Sequence, residues 1–271
     1  VFLLFQFCWS LLSLFLSLFK AMGNGESQEL EEEETPILYQ HGYQILKVQP
    51  NSPCDGKKIK IFFEFIIGVN GQSVDITNVD SFLDLLKKYA NQPLKLTLLD
   101  CKTRHIREID TVPSLDWGSK QHLGINIRLC STKLATSMVW HILQVFPNSP
   151  ASMAGLETNN DYIVGTPSFI FSDDEDLFTL ISSSVGKPLN FFVYNHLRDD
   201  VRTVTITPND NWGGAGCLGC DVGYGALHKL PGVSTDAYTI DSNVTLFSKQ
   251  QPIAPTSEEN QVNREKKEKE Q

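Results

Sequence analysis

The sequence predicts an α+β chain, mainly β, made of two tandem copies of one small domain. Each copy is expected to be a partly open barrel of about five or six strands and two helices. Three observations carry this reading. The segment Tyr43–Gly68 recurs as Trp140–Gly165 at a constant offset of 97, with nine of 26 positions identical; the clearest block is V-x-P-N-S-P, at Val48–Pro53 and Val145–Pro150. The correspondence continues at offset 95, pairing Pro93-Leu94 with Pro188-Leu189, Pro113 with Pro208, Trp117-Gly118 with Trp212-Gly213 and Leu123-Gly124 with Leu218-Gly219. Within each copy, short β-branched runs and turn residues surround one amphipathic stretch, the pattern of a small sheet with a packed helix.

Taken in order, each copy opens on a β-branched run, Ile45–Val48 or Ile142–Val145. The N-S-P turn follows, where Ser52 or Ser149 is placed to cap a short helix opened by proline. A buried strand comes next, Phe65–Val69 or Tyr162–Gly165, and in the first copy it meets Asn70-Gly71, a hairpin signal. The amphipathic helix carries Phe82, Leu83, Leu85, Leu86 and Tyr89 on one face, or Leu177, Phe178, Leu180 and Ile181. Strands after Pro93 or Pro188 and up to Pro113 or Pro208 lead to a Trp-Gly loop and a last strand. The second copy has Ala154-Gly155-Leu156 as a helix stop, whereas the first has Lys57-Lys58-Ile59. Lack of glycine at a left-handed cap costs about 1 kcal/mol, and the first turn can close at Gly56 instead.

The 271 residues carry a formal charge of −9, from 23 Lys+Arg against 32 Asp+Glu, and are 41% apolar and 20% charged. That excludes a wholly disordered or collagen-like chain and argues against broad nucleic-acid binding, which needs basic phosphate contacts. Six cysteines are too few for a disulfide scaffold in a chain of this length.

The ends differ from the middle. Residues 1–19 are apolar except Gln6, Ser10, Ser13 and Ser17, and as a helix they would span about 28 Å, close to a bilayer core. The first methionine, Met22, opens Met22-Gly23-Asn24-Gly25-Glu26-Ser27, an N-myristoylation pattern with Gly23 as acceptor. The expectation is therefore a start at Met22, residues 1–21 upstream sequence, and an acidic tether over 22–40; a true membrane anchor is the alternative. Domains are expected at 41–131 and 137–231. Residues 232–271, ending in a charged run, are expected to be a disordered polar tail.

Catalytic signatures are missing: no G-x-S-x-G elbow, P-loop or dinucleotide-binding glycine fingerprint occurs, and the six histidines show no metal spacing. Cys217-x-x-Cys220 lacks a second Cys/His pair, so packing is its expected role. Cys130 is a candidate ligand only of a metal site shared with a partner, and no cofactor is assigned. The run Asp173-Asp174-Glu175-Asp176 precedes a helix, where capping explains negative charge better than catalysis.

The strand, N-S-P, A-G-L and buried-strand order resembles PDZ domains. The tandem pair, W-G-x-x-x-x-L-G before each last strand, the run Cys217–Pro231 and the M-G start are together similar to the Golgi reassembly and stacking protein (GRASP) family, over about residues 22–232. That resemblance implies two circularly permuted PDZ-like modules whose last strands supply the peptide-binding edges. A glycine loop before an open strand can hold a peptide carboxylate while the strand adds the peptide backbone. The first groove maps to Leu123, Gly124, Ile125, Asn126 and Ile127, facing the helix from near Asp80. The second maps to Leu218, Gly219, Cys220, Asp221 and Val222, facing the helix from about Asp174.

The resemblance further implies a non-enzymatic adaptor on the cytosolic face of the Golgi membrane. A myristate alone binds membranes marginally, so a second anchor is required; in the family it is a golgin-type coiled-coil partner held by a PDZ groove. The first copy is implied to self-associate in trans, as a homo-oligomer linking cisternae. The alternative is the PDZ portion of a membrane-bound protease or its regulator.

Overall fold

Residues 39–74 and 79–244 are described by the computed structural model, and they form two open sheets with one helix-bearing side each. The first copy contains β1 (His41–Val48), β2 (Glu64–Val69), β3 (Gln72–Ser73), α1 (Val79–Lys88), β4 (Leu94–Asp100), β5 (His105–Thr111) and β6 (Ile125–Ser131). A short α2 (Leu134–Ser137) leads into the second copy: β7 (Trp140–Val145), α3 (Pro150–Met153), β8 (Asp161–Gly165), α4 (Asp176–Ser183), β9 (Leu189–Asn195), β10 (Asp200–Ile206) and β11 (Cys220–Gly223). A last strand, β12 (Thr239–Ile240), follows.

The first sheet runs β12-β5-β4-β2-β1-β6, with β3 on β2, and the second β10-β9-β8-β7-β11. Neither closes, and the last strand of each copy stands at an edge. β2 and β8, central and buried at every position, are the apolar runs that the sequence marks as core strands. Both shift register against the next strand at equivalent places, Ile66/Gly68 on β4 and Ile163/Gly165 on β9. The Asn70-Gly71 hairpin is present, with positive φ at both residues and Val69 paired to Gln72.

Two local expectations need correction. Ser149 does cap α3, its Oγ accepting from Ser152 N at 3.1 Å, and Gly155 ends the turn at φ +74°. Ser52 caps nothing: its buried Oγ has no hydrogen-bond partner, and residues 51–57 form turns without a helix. Asp55 takes over, its carboxylate accepting from Asn51 N at 2.8 Å, and both Gly56 and Lys58 adopt positive φ. The expected helix faces are also too wide. Phe82 and Leu86, like Leu177 and Ile181, are buried, but Leu83 and its equivalent Phe178 are 43% and 51% exposed. Leu85, Tyr89 and Leu180 pack partly against the same clusters, so Leu83 and Phe178 are the positions that fall off the packed faces.

The copies share a third apolar cluster. Phe62, Phe63, Phe65, Leu99 and Ile106 of the first pack with Tyr162, Val164, Phe192 and Tyr194 of the second. Gly165 lets the Phe62 ring approach, since a Cβ there would come within 2.7 Å of it. Lys102, its side chain 10% exposed, crosses from the β4–β5 turn to hydrogen-bond Tyr194 and Asp199. Burial pulls its pKa down, but the bonds to Asp199 and Tyr194 outweigh that and the net shift is upward.

The tail also differs from expectation. Leu230 is buried in the shared cluster, Val233, Tyr238 and Val244 pack against it, and Thr239–Ile240 pair in parallel with His105-Ile106 of β5. Residues 232–244 are thus held on the fold rather than starting a disordered segment, because apolar side chains interrupt their polar composition.

Candidate peptide-binding edges

The two motifs that define the repeat form the two halves of one joint. In the first copy Gln49 N donates to Gly124 O at 2.7 Å and Cys54 N to Leu123 O at 3.3 Å. In the second, Phe146 N donates to Gly219 O at 3.0 Å and Ala151 N to Leu218 O at 2.9 Å. The N-S-P turn therefore clamps the L-G step before each last strand. The asparagines of the turn, Asn51 and Asn148, both sit at φ +60°, a region asparagine tolerates well. The Trp-Gly loop is braced the same way twice: Trp117 Nε1 donates to Gln121 O at 2.8 Å and Trp212 Nε1 to Gly216 O at 2.6 Å.

Glycine is required at each L-G step. Gly124 and Gly219 lie at φ +65° and +69°. A Cβ at Gly124 would collide with Ser52, coming within 2.7 Å of its Oγ, and with the Trp117 ring; at Gly219 it would collide with Ser149 and come within 2.7 Å of Trp212. The serines of N-S-P thus lie against the glycines, a role that their reading as helix caps did not reveal.

The first edge is long. β6 pairs with β1 from His41↔Ser131 to Val48↔Ile125, and among the described residues no strand pairs its other side. Leu123 and Ile125 are buried with Phe82 and Leu86 of α1, Ile127 is partly buried beside them, and Asn126 is exposed. A cleft of about 600 Å³ adjoins this edge, with Leu46, Ile125 and Ile127 on one side and Pro167, Phe192 and Thr203 of the second copy on the other.

The second edge is short. Leu218 is buried with α4 residues Leu177 and Ile181, and Cys220 and Val222 pack partly against the same cluster; Asp221 is exposed. After four residues the strand ends at Gly223, over which the His228 ring lies. Tyr224 turns back onto Trp140, with ring centroids 5.5 Å apart, and its hydroxyl meets Met138 Sδ at 3.6 Å. Burial and then the charges of Asp174 and Asp173 raise its phenol pKa. The chain's own tyrosine therefore stands beside the approach to α4, a feature with no counterpart in the sequence reading.

The remaining candidates make local contacts within the fold. Asp176 accepts from Ser172 N at 2.7 Å and Asp173 N at 2.9 Å, bonds that lower its pKa and build the turn into α4. Burial and then Asp221 push the Cys220 thiol up to about 11. Burial also raises Cys130, against the opposing pull of Arg128, and its thiol donates to Gln44 Oε1 at 3.4 Å. The same Gln44 oxygen accepts from Arg128 Nη2 at 2.7 Å, while Arg128 Nη1 reaches the carbonyls of Thr166 and Phe169 in the second copy. Among the described residues no three His, Cys, Asp or Glu side chains are grouped to hold a metal ion, and no helix is long and apolar enough to cross a membrane. Gly23 lies outside the described residues.

Known proteins are similar to this chain in sequence. The chain is 43% identical over 198 residues to human (Homo sapiens) Golgi reassembly-stacking protein 1, covering 73% of this chain and 44% of that protein. It is 45% identical over 190 residues to the mouse (Mus musculus) protein of that name, covering 70% and 42%. An uncharacterised protein of Schizosaccharomyces pombe is 35% identical over 190 residues, covering 70% and 53%. The chain thus spans less than half the length of the mammalian relatives it matches. The GRASP55/65 PDZ-like domain profile matches twice, at residues 30–118 and 96–233, and this chain belongs to that family.

Proposed function

We propose that this chain is a non-catalytic adaptor of the Golgi membrane that binds extended peptide segments along the β6 edge and contributes to stacking and linking cisternae. The observation that carries the reading is the open seven-residue strand Ile125–Ser131, preceded by the positive-φ Gly124 and bordered by a cleft of about 600 Å³. An edge of this length can add a peptide as a further strand, with backbone bonds giving affinity and side-chain pockets giving choice. The relatives named for Golgi reassembly and stacking support the location and the role.

Golgin-type coiled-coil proteins are the proposed peptide donors, and a second copy of this chain on an opposing membrane is the proposed partner in trans. Myristoylation at Gly23 supplies a weak anchor to the cytosolic face, and the peptide contact supplies the second signal that stable attachment needs. Many weak contacts between facing membranes then act together through effective concentration.

The test uses beads coated with the full chain and, separately, golgin C-terminal peptides. Clustering of beads and peptide binding are both expected, and both should be lost with Leu83→Asp, which places a charge on the exposed side of α1 without disturbing its buried face. Beads that stay dispersed at high coating density would contradict the tethering role. For the anchor, Gly23→Ala should release the protein from membranes in cells; full retention would contradict the lipid model.

A further inference from the structure

The outer edge of β5, on the far side of the first sheet from β6, already holds a peptide: the chain's own segment after Gly232. Ser234 N donates to Lys102 O at 2.7 Å, Thr239 N to Arg104 O at 3.0 Å and Asp241 N to Ile106 O at 3.0 Å. Arg104 gathers the approach, its Nη1 donating to the carbonyls of Thr235 (2.9 Å) and Asp236 (2.8 Å), while its guanidinium lies 5.3 Å from the Tyr238 ring centroid. Tyr238 also packs on Tyr39 at 4.8 Å, and Asp241 meets His105 Nε2 at 2.9 Å. An aromatic ring, three backbone donors and a carboxylate are thus read by one arginine, one histidine and a strand edge.

The chemistry is specific to the first copy. The positions equivalent to Arg104 and His105, at offset 95, are Asp199 and Asp200, so the outer edge of β10 would repel the carboxylates of the same segment. Among the described residues β10 has no strand on that side. The segment is also weakly held. Most of residues 234–243 are exposed, only Thr239–Ile240 are in strand conformation, and Gly232, at φ +72°, separates the segment from the buried Leu230. Few buried contacts and exposed backbone bonds mark a part of the fold that opens well below the global unfolding free energy.

We propose that the outer edge of β5 is a second peptide-docking site, separate from β6, for an extended segment bearing an aromatic residue and an acidic residue three positions later, and that residues 233–241 are its releasable built-in ligand. Release leaves Leu230 in the shared core and frees the backbone acceptors of Arg104 and Ile106, so the segment and a matching peptide compete for one edge.

The test uses a labelled synthetic peptide of residues 232–244 and the full chain with Tyr238→Ala and Thr239→Pro, which removes the ring and one donor and empties the edge. The emptied chain is expected to bind the peptide at least about tenfold more tightly than the wild type, where the tethered segment competes at high effective concentration. Adding Arg104→Asp, which copies the second copy's residue, should abolish that binding. No binding to the emptied chain, or binding indifferent to Arg104→Asp, would overturn the proposal. Amide hydrogen exchange on Arg104→Asp alone gives an independent reading. Thr239 and Asp241 should exchange about fivefold faster or more, with β2 and β4 unchanged; unaltered protection at Thr239 and Asp241, or equal loss of protection in β2 and β4, would show an integral strand instead.

Discussion

In the first copy the strand after the L-G step runs seven residues, Ile125–Ser131; in the second it stops after four, Cys220–Gly223. The joint feeding both strands is the same, with backbone donors that flank N-S-P bonded to the carbonyls of Leu123 and Gly124 or of Leu218 and Gly219. The loop geometry that could receive a peptide terminus is therefore present twice, while the length of edge that could hold its backbone is not. Tyr224 and His228, following the shorter strand, fold back on Trp140 and Gly223. The joint is common to both copies, and the edges are where the copies differ.

The largest effect is expected at the joint. Gly124→Ala and Gly219→Ala should each cost about 2–4 kcal/mol, since both force a Cβ at positive φ into serine and tryptophan side chains. Gly155→Ala, also at positive φ but facing open space, should cost about 1 kcal/mol. Urea unfolding of the three variants orders them; a Gly155 variant as damaged as the other two would break the argument from collision.

Next comes the seam between the copies. Lys102→Met should lose about 1–3 kcal/mol by leaving Tyr194 Oη without its donor and Asp199 without its cation, although the Tyr194 hydroxyl still donates to Asp199 Oδ1. The bond from Lys102 holds the Asp199 carboxyl below the usual range, ahead of an opposing contribution from burial. A depressed carboxylate stabilises the fold above its unfolded pKa and stops doing so as pH falls through its folded pKa. The stability gap between wild type and Lys102→Met should therefore be full at neutral pH and shrink in acid below the ordinary carboxylate range. A gap that is flat through that range would remove the charge from the explanation.

The smallest contrast is at the paired serines. Ser149→Ala should cost about 1 kcal/mol by removing a helix cap, whereas Ser52→Ala should change stability by less than about 0.5 kcal/mol because its hydroxyl bonds nothing. Equal losses would mean that the serines act alike in spite of their different partners.

Much of this was legible in the sequence because the repeat reports long-range structure through local spacing. Offsets of 97 and 95 aligned Asn51 with Asn148 and Gly124 with Gly219, and turn chemistry placed Asn70-Gly71. The motifs predicted edges at Leu123–Ile127 and Leu218–Val222, but not that the two would differ in length, which depends on Tyr224 meeting Trp140 across the fold. Helical spacing grouped Leu83 with Phe82 because periodicity alone does not fix how wide a face the sheet will cover. Nothing in the local sequence singles out Lys102, since its partners Tyr194 and Asp199 lie in the other copy. The segment through Tyr238 and Ile240 was hidden by polar neighbours, and its recognition by Arg104 and His105 is a contact between distant stretches of chain.

The central claim is that the first copy's edge, not the second's, takes an extended peptide. Leu83 and Phe178 are equivalent, exposed, and each on the helix beside its own edge, so they make a matched pair. Fluorescence anisotropy with one golgin C-terminal peptide, titrated against wild type, Leu83→Asp and Phe178→Asp, compares the edges directly. The account predicts binding lost in Leu83→Asp and kept within about twofold in Phe178→Asp. Loss in Phe178→Asp with binding kept in Leu83→Asp would contradict it.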